Sequence, residues 1–264
     1  MTPILMLGAG RMGGALIEGW RMAGAFQASD LLIREPHANP TLEAAKAAGA
    51  SVNPADADLA RAKTVLLAVK PQLWREAAAQ VVAYLAPDAI IVSIAAGVRA
   101  SDISQAFGGR AVARIMPTTA VAVCQGTASI YAADDEAKAR AHALFAPVGT
   151  VVDVADEELM HAATGVSGSA PAYLYAFVEA LEAAGAAAGL PAADSARLAR
   201  STIAGAAALM ARSGEEPAEL RKQVTSPGGT TQAALDVLLA ADGFPALLRD
   251  AVAAATRRSK ELGG

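Results

Sequence analysis

Two glycine-rich turns carry the chemistry open to this chain. The later one reads Thr225-Ser226-Pro227-Gly228-Gly229-Thr230-Thr231. A serine hydroxyl can cap a helix, and proline suits the first helical position, where its missing N–H costs nothing. Gly228 and Gly229 then leave the next backbone N–H groups bare. Free N–H groups at the positive end of a helix dipole suit a carboxylate or a phosphate. The segment is therefore expected to be an anion site.

The earlier turn is Gly8-Ala9-Gly10-Arg11-Met12-Gly13, a G-x-G-x-x-G motif. It follows an apolar run at residues 3–7 and opens a helical pattern at 12–23, which is the context a dinucleotide turn requires. Gly8 permits the tight turn, Gly10 lets the backbone approach a pyrophosphate, and Gly13 allows close helix–strand packing. The second strand, residues 31–34, ends at Arg34-Glu35. An acid there binds the ribose 2′-hydroxyl of NAD, whereas an arginine accepts the 2′-phosphate of NADP. Both are present, so the cofactor is NADPH or NADH and the sequence does not choose. Ala68-Val69-Lys70-Pro71 and Ser93-Ile94-Ala95-Ala96-Gly97 close the third and fourth expected strands, where such sheets form their ligand crevice. Lys70 lies either beside the cofactor or in solvent.

Acid–base residues are scarce. The chain has three histidines, His37, His142 and His161. His37 falls in a loop and His142 on a polar helix face, and both are expected at the surface. His161 is the one plausible histidine acid or base, although a structural or exposed role suits it better. No H-x-x-x-H pair or ligand cluster points to a metal, and no G-x-S-x-G elbow points to a serine nucleophile. Oxidising an alcohol requires a placed base. Reducing a protonated imine asks chiefly for binding and orientation. Serines, threonines and backbone amides suit the second reaction.

These groups need a scaffold, and the pattern supplies one. Strands are expected at 3–7, 31–34, 64–69, 89–94, 111–116, 128–131 and 150–154. Helical patterns at 12–23, 42–48, 72–85 and 135–145 lie among them. Alternating strand and helix indicate a parallel sheet with helices on both faces. Beyond about residue 156 no strand is expected, only helices at 170–188, 192–213, 217–224, 230–240 and 244–261. The fold class is thus α/β, with a Rossmann dinucleotide-binding domain at 1–155 followed by an all-helical domain at 156–264. Residues 183–189 are all alanine or glycine. That is either compositional bias or a sign of close helix packing, within or between subunits. A helical domain with so few large side chains is expected to need a partner to bury enough surface.

Composition limits the rest. The chain has 264 residues, 54% hydrophobic and 18% charged, with a formal net charge of −4. That balance argues against nucleic acid as the main partner. The lone cysteine, Cys124, excludes an intramolecular disulfide and is expected to be a buried small apolar residue. No apolar run reaches membrane-spanning length, and a first strand starting at Pro3 leaves no room for a signal peptide. The expected compartment is the cytoplasm.

Ser167-Gly168-Ser169-Ala170-Pro171-Ala172-Tyr173 and Val224-Thr225-Ser226-Pro227-Gly228-Gly229-Thr230-Thr231, taken with the glycine turn, Ala68-Val69-Lys70-Pro71 and Ser93-Ile94-Ala95-Ala96-Gly97-Val98, resemble the pyrroline-5-carboxylate reductases. The matches run in family order from Gly8 to Thr231. The resemblance implies reduction of 1-pyrroline-5-carboxylate to proline, the last step of proline biosynthesis, by hydride from NADPH or NADH. It implies a Rossmann domain and a helical domain that dimerises through interlocking helices, with larger rings in some members. It places the substrate carboxylate on residues 226–231 and the Thr231 hydroxyl near the pyrroline nitrogen. Thr231 is then the catalytic residue, with Ser169, Ser226, Gly228, Gly229 and Thr230 on the substrate. The cofactor set is Gly8, Gly10, Arg11, Met12, Gly13, Arg34, Glu35, Ala68, Val69, Lys70, Ala95 and Pro117.

Two departures stand out. Arg11 replaces the family's usual asparagine, and is placed either on a cofactor phosphate or in solvent. Met116-Pro117-Thr118-Thr119-Ala120 replaces Met-Pro-Asn-Thr-Pro, so Thr118 keeps one hydrogen bond where an amide makes several. The closest alternative is a β-hydroxyacid dehydrogenase, which places a lysine on the long helix after the domain boundary. This chain has none between Lys138 and Lys222, and Ala172 stands at the nearest equivalent position. A second alternative is a non-catalytic NAD(P)-sensing protein.

Overall fold

The computed structural model describes residues 1–262. Eight strands form one sheet: β1 (Ile4–Leu7), β2 (Leu31–Arg34), β3 (Ser51–Val52), β4 (Thr64–Leu67), β5 (Ile90–Ser93), β6 (Val112–Pro117), β7 (Gly126–Ala132) and β8 (Gly149–Asp153). Their order across the sheet is β3-β2-β1-β4-β5-β6-β7-β8. The chain winds outward from β1 in one direction to β3, then crosses back to β4 and winds the other way. Ligands bind at such a reversal, outside the carboxyl ends of the strands.

The sheet is not wholly parallel, as the strand–helix alternation had suggested. β6 and β7 pair antiparallel, with Ile115 opposite Ile130, while β7 and β8 are parallel to each other. The cause is the connection. Residues 118–125 join β6 to β7, and a parallel crossover needs about a dozen residues or more.

Both faces of the sheet are covered at its centre, so β1, β4 and β5 are buried along their whole length. In β1, Ile4 and Met6 point into one core and Leu5 and Leu7 into the other. The first core takes Leu16, Ile17 and Trp20 from α1 (Arg11–Ala23), Leu42 and Ala45 from α2 (Pro40–Ala47), and Ala141 and Leu144 from α5 (Asp135–Phe145). The second takes Trp74, Ala78 and Val81 from α3 (Trp74–Val81) and Ile103 from α4 (Ala100–Ala106). The helix expected over 72–85 is shorter than its pattern, with tighter 3-10 turns at Pro71–Leu73 and Val82–Tyr84 flanking α3. Cys124 is half-buried rather than buried, and its Sγ lies 3.4 Å from the Gly19 carbonyl.

After β8 come α6 (Leu159–Ala163), a π-helical segment at Thr164–Gly168, and then α7 (Ala170–Ala187), α8 (Ala192–Ser213), α9 (Pro217–Gln223), α10 (Thr230–Leu238) and α11 (Phe244–Leu262). The chain forms two compact units, Met1–Gly168 with residues 254–262, and Ser169–Ala253. α11 therefore begins in the second unit and ends in the first. Its last turns join α6 through a 2.9 Å hydrogen bond between His161 Nδ1 and Ser259 Oγ, both buried.

In the second unit, α7 and α8 approach closely at Gly185, where an added Cβ would lie 2.2 Å from Ser195 Oγ. The Ser195 hydroxyl donates to the Glu182 carbonyl at 2.7 Å, and Arg200 forks onto the Glu182 carboxylate. Gly185, within the alanine–glycine run, thus serves close helix packing within the chain. Large apolar side chains on the helices of this unit stay exposed, among them Tyr175, Leu198, Leu209, Val237 and Leu247. Among the described residues, no helix is long and apolar enough to cross a membrane.

Candidate functional site

At the carboxyl ends of β1, β2, β4, β5 and β6 lies a cleft of about 920 Å³. It gathers ten of the twelve expected cofactor residues: Gly8, Gly10, Arg11, Met12, Arg34, Glu35, Ala68, Val69, Lys70 and Pro117. The first turn is built as its motif implies. Gly8 has φ +96°, a left-handed conformation that a side chain disfavours, and its N–H donates to the Arg34 carbonyl at 2.9 Å. A Cβ on Gly8 would meet the Ala68 carbonyl oxygen at 2.8 Å, and one on Gly13 would meet the Gly8 carbonyl oxygen at 2.4 Å. Gly13 is therefore the packing contact beneath the turn and is not part of the lining. Gly10 is the opposite case. It is exposed, and no protein atom lies within 4 Å of where its Cβ would be. The bare backbone there faces the cleft, which is what a bound pyrophosphate needs. A nicotinamide dinucleotide fits this cradle.

Ala95 corrects the sequence reading. It is buried, and its N–H is taken by Ser93 Oγ at 3.2 Å, so its neighbours Ile94 and Ala96 line the cleft instead. Lys70 is exposed at the cleft wall.

The tip of β2 is more fully braced than its sequence suggests. Glu35 follows the strand, and its Oε2 accepts from Ala9 N at 2.9 Å, inside the glycine turn. Its Oε1 accepts from His37 N at 2.9 Å and lies 3.3 Å from His37 Nδ1. Asn53 clamps the Glu35 backbone: Oδ1 accepts from Glu35 N and Nδ2 donates to Glu35 O, each at 3.0 Å. The Arg34 guanidinium is paired with Asp56. Asn39 donates from Nδ2 to the Ala9 carbonyl and accepts from Leu42 N with Oδ1, capping α2.

Asn39, Asn53 and His37 are cleft residues that the sequence reading missed. Asn39 before Pro40 carried a legible cap signal. Asn53 sits at φ +49°, which asparagine tolerates, but its partner is distant in sequence and nothing local marks the pair. His37 is a surface residue, as expected, yet stands at the cleft rim.

The second turn differs in detail from its expectation. Ser226 is not the cap and Pro227 is not the first helical residue, for α10 starts at Thr230 with Gly229 as its N-cap. Residues 226–229 form a turn closed by Gly229 N donating to Ser226 O at 3.0 Å, with Gly228 at φ +70°. Glycine is the residue that supplies that conformation without strain. The Gly229 N–H is thus not bare. The first intrahelical bond runs from Ala233 N to Gly229 O, so the amides of Thr230, Thr231 and Gln232 are the free donors of the first turn. The free donors thus lie in the first turn of the helix rather than at the glycines before it. Thr231 is half-buried in that first turn.

Ser169 is the N-cap of α7, with Pro171 in its first turn and no side-chain cap hydrogen bond. The widened turn before it is held by Thr164 Oγ1 and Ser167 Oγ, which donate back to the Met160 and Ala163 carbonyls at 2.7 and 2.9 Å. Thr118 Oγ1 accepts from Thr127 N at 3.0 Å, so its hydroxyl serves the β6–β7 turn. His161 is held below the usual histidine pKa, first by burial and then by the charge of Arg114. It does not line the cleft.

Comparison with known proteins adds the family. Residues 157–262 match the family model for pyrroline-5-carboxylate reductase dimerisation, and residues 3–97 match that for NADP oxidoreductase, coenzyme F420-dependent. The chain is 39% identical to the pyrroline-5-carboxylate reductase of Synechocystis over 98% of its own length and 97% of that protein's. Among solved structures, the Coxiella burnetii pyrroline-5-carboxylate reductase superposes with a TM-score of 0.90 at 28% identity, covering 100% of this chain and 99% of that one. The Plasmodium falciparum pyrroline carboxylate reductase with NADP bound gives a TM-score of 0.84 at 26% identity, with coverage of 100% and 98%.

Proposed function

The chain belongs to the pyrroline-5-carboxylate reductase family, and from that premise we propose that it reduces 1-pyrroline-5-carboxylate to L-proline, the last step of proline biosynthesis. The observation that carries this reading is the span of the relationship, which takes in both glycine turns.

NADPH or NADH, when bound, supplies a hydride. The chain's own residues bind and orient. The Gly8–Gly13 turn offers bare backbone at Gly10 to the pyrophosphate, and the walls from Arg34 to Pro117 enclose the rest of the dinucleotide. The free amides at the start of α10 receive the substrate carboxylate, with Ser226, Gly228 and Gly229 shaping the turn and Ser169 contributing a hydroxyl. The Thr231 hydroxyl bonds the ring nitrogen. Two electrons and one hydrogen pass to the C=N carbon, and the nitrogen, protonated on arrival, keeps its proton as the amine of proline. No strong base is called for, which suits a cleft that His161 does not line.

In this reading residues 1–155 hold the dinucleotide and residues 156–264 hold the substrate and dimerise. Exposed apolar side chains on α7, α8, α10 and α11 support a homodimer through the helical domain, which can assemble further. We place the reaction in the cytoplasm, in keeping with the lone cysteine. The test is the purified protein with pyrroline-5-carboxylate and each reduced nicotinamide. Substrate-dependent loss of near-ultraviolet absorbance supports the reading, and a flat trace with both cofactors contradicts it.

A further inference from the structure

The tip of β2 decides between the two dinucleotides, and its contacts are set before either binds. The strand ends where the adenosine ribose lies in this fold. Glu35 presents its carboxylate to the cleft there with little freedom. One oxygen is tied to Ala9 N and the other to His37 N, and Asn53 fixes the backbone. The carboxylate side chain is only 11% exposed. Oε2, which takes one hydrogen bond, still has a lone pair for a hydroxyl, because a carboxylate offers about four acceptor sites.

A 2′-phosphate asks for the reverse, a cation with free N–H groups. Arg34 is the cation at this tip; its Nη2 is paired with Asp56, and its Nε, though without a partner, is buried away from the cleft solvent. Arg34, Asp56 and Glu35 together carry a net charge of −1. Arg11 and Lys70 also line the cleft, but they extend from the glycine turn and from the chain after β4. His37 is the remaining titratable group beside Glu35, and its ring is 90% exposed.

We propose that this cleft selects the dinucleotide lacking the 2′-phosphate, with Glu35 binding the ribose hydroxyl and Asp56 withholding Arg34 from a phosphate. The inference rests on the cleft being the dinucleotide site. Like charges in contact at the cleft wall disfavour the phosphorylated form, and the carboxylate gains a charge-assisted bond only from the hydroxyl.

Calorimetric titration with NADH and with NADPH, without substrate, tests this apart from catalysis. The wild-type protein is expected to bind NADH roughly tenfold or more tightly than NADPH, the value of one charge-assisted hydrogen bond. Glu35→Ser is expected to remove most of that ratio. Asp56→Asn leaves the Glu35 contacts intact, frees Arg34, and is expected to move the ratio toward NADPH. Equal or tighter NADPH binding by the wild-type protein overturns the inference, as does a ratio unchanged in both variants. Binding of neither nucleotide overturns this inference and the dinucleotide reading of the cleft together. Equal binding of both overturns this inference alone.

Discussion

Thr231 and Gly10 serve the two halves of the reaction in different ways. Thr231 offers a hydroxyl in the first turn of a helix whose neighbouring amides are free. Thr231→Ala is expected to lower kcat with pyrroline-5-carboxylate by roughly 10–100-fold, as loss of one polar group at a reacting centre does. NADH affinity should stay within about twofold, since no cofactor role is assigned to it. Steady-state kinetics with a parallel cofactor titration separates the two, and equal losses would remove Thr231 from the substrate. Gly10 contributes emptiness. A Cβ there meets no protein atom within 4 Å, so Gly10→Val should fold with a near-normal melting temperature yet lose dinucleotide affinity. A protein that binds as before would contradict the placement of the pyrophosphate.

At the scale of elements, the sequence showed which segments form the cleft and less of how they are joined. The strand tips at Gly8, Glu35, Lys70 and Pro117 were legible because apolar runs end there in glycine, charge or proline. The reversal of β7 was not, because periodicity reports a strand and carries no direction; only the short connection over residues 118–125 fixes it. The Asn53–Glu35 clamp and the Arg34–Asp56 pair were hidden for a similar reason, since each joins residues far apart in sequence. α10 starts at Thr230, as its pattern implied, but Ser226-Pro227 is a cap signal and a turn signal alike, and Gly228 decides for the turn.

The junction of α6 and α11 carries a pH prediction. His161 has a lowered pKa in the folded state. The unfolded chain therefore takes up a proton near the ordinary histidine value of about 6.5 while the native state does not. Stability should fall as pH drops from that value toward the lowered pKa, with no contribution above it. Melting temperatures across pH 5–8 for the wild-type protein and His161→Asn should show this slope in the first and a flatter one in the second.

The whole molecule is explained by what it leaves uncovered. A helical unit with Tyr175, Leu198, Leu209, Val237 and Leu247 exposed is expected to bury them against a second copy. Burying each such side chain is worth about 1.5–3 kcal/mol, so a charge at one position should shift the equilibrium measurably. Leu209→Glu is expected to lower the mass measured by light scattering toward that of the 26.5 kDa chain. A wild-type protein that is monomeric at micromolar concentration would contradict the assembly proposed here.

Above all, this chain moves a hydride onto the carbon of a cyclic imine. Incubation with pyrroline-5-carboxylate and NADH carrying deuterium at the transferable position of the nicotinamide tests it directly, with the product read by mass spectrometry and NMR. The expected product is L-proline bearing a single deuterium on the former C=N carbon. Unlabelled proline, or no proline in the presence of bound cofactor, would contradict it.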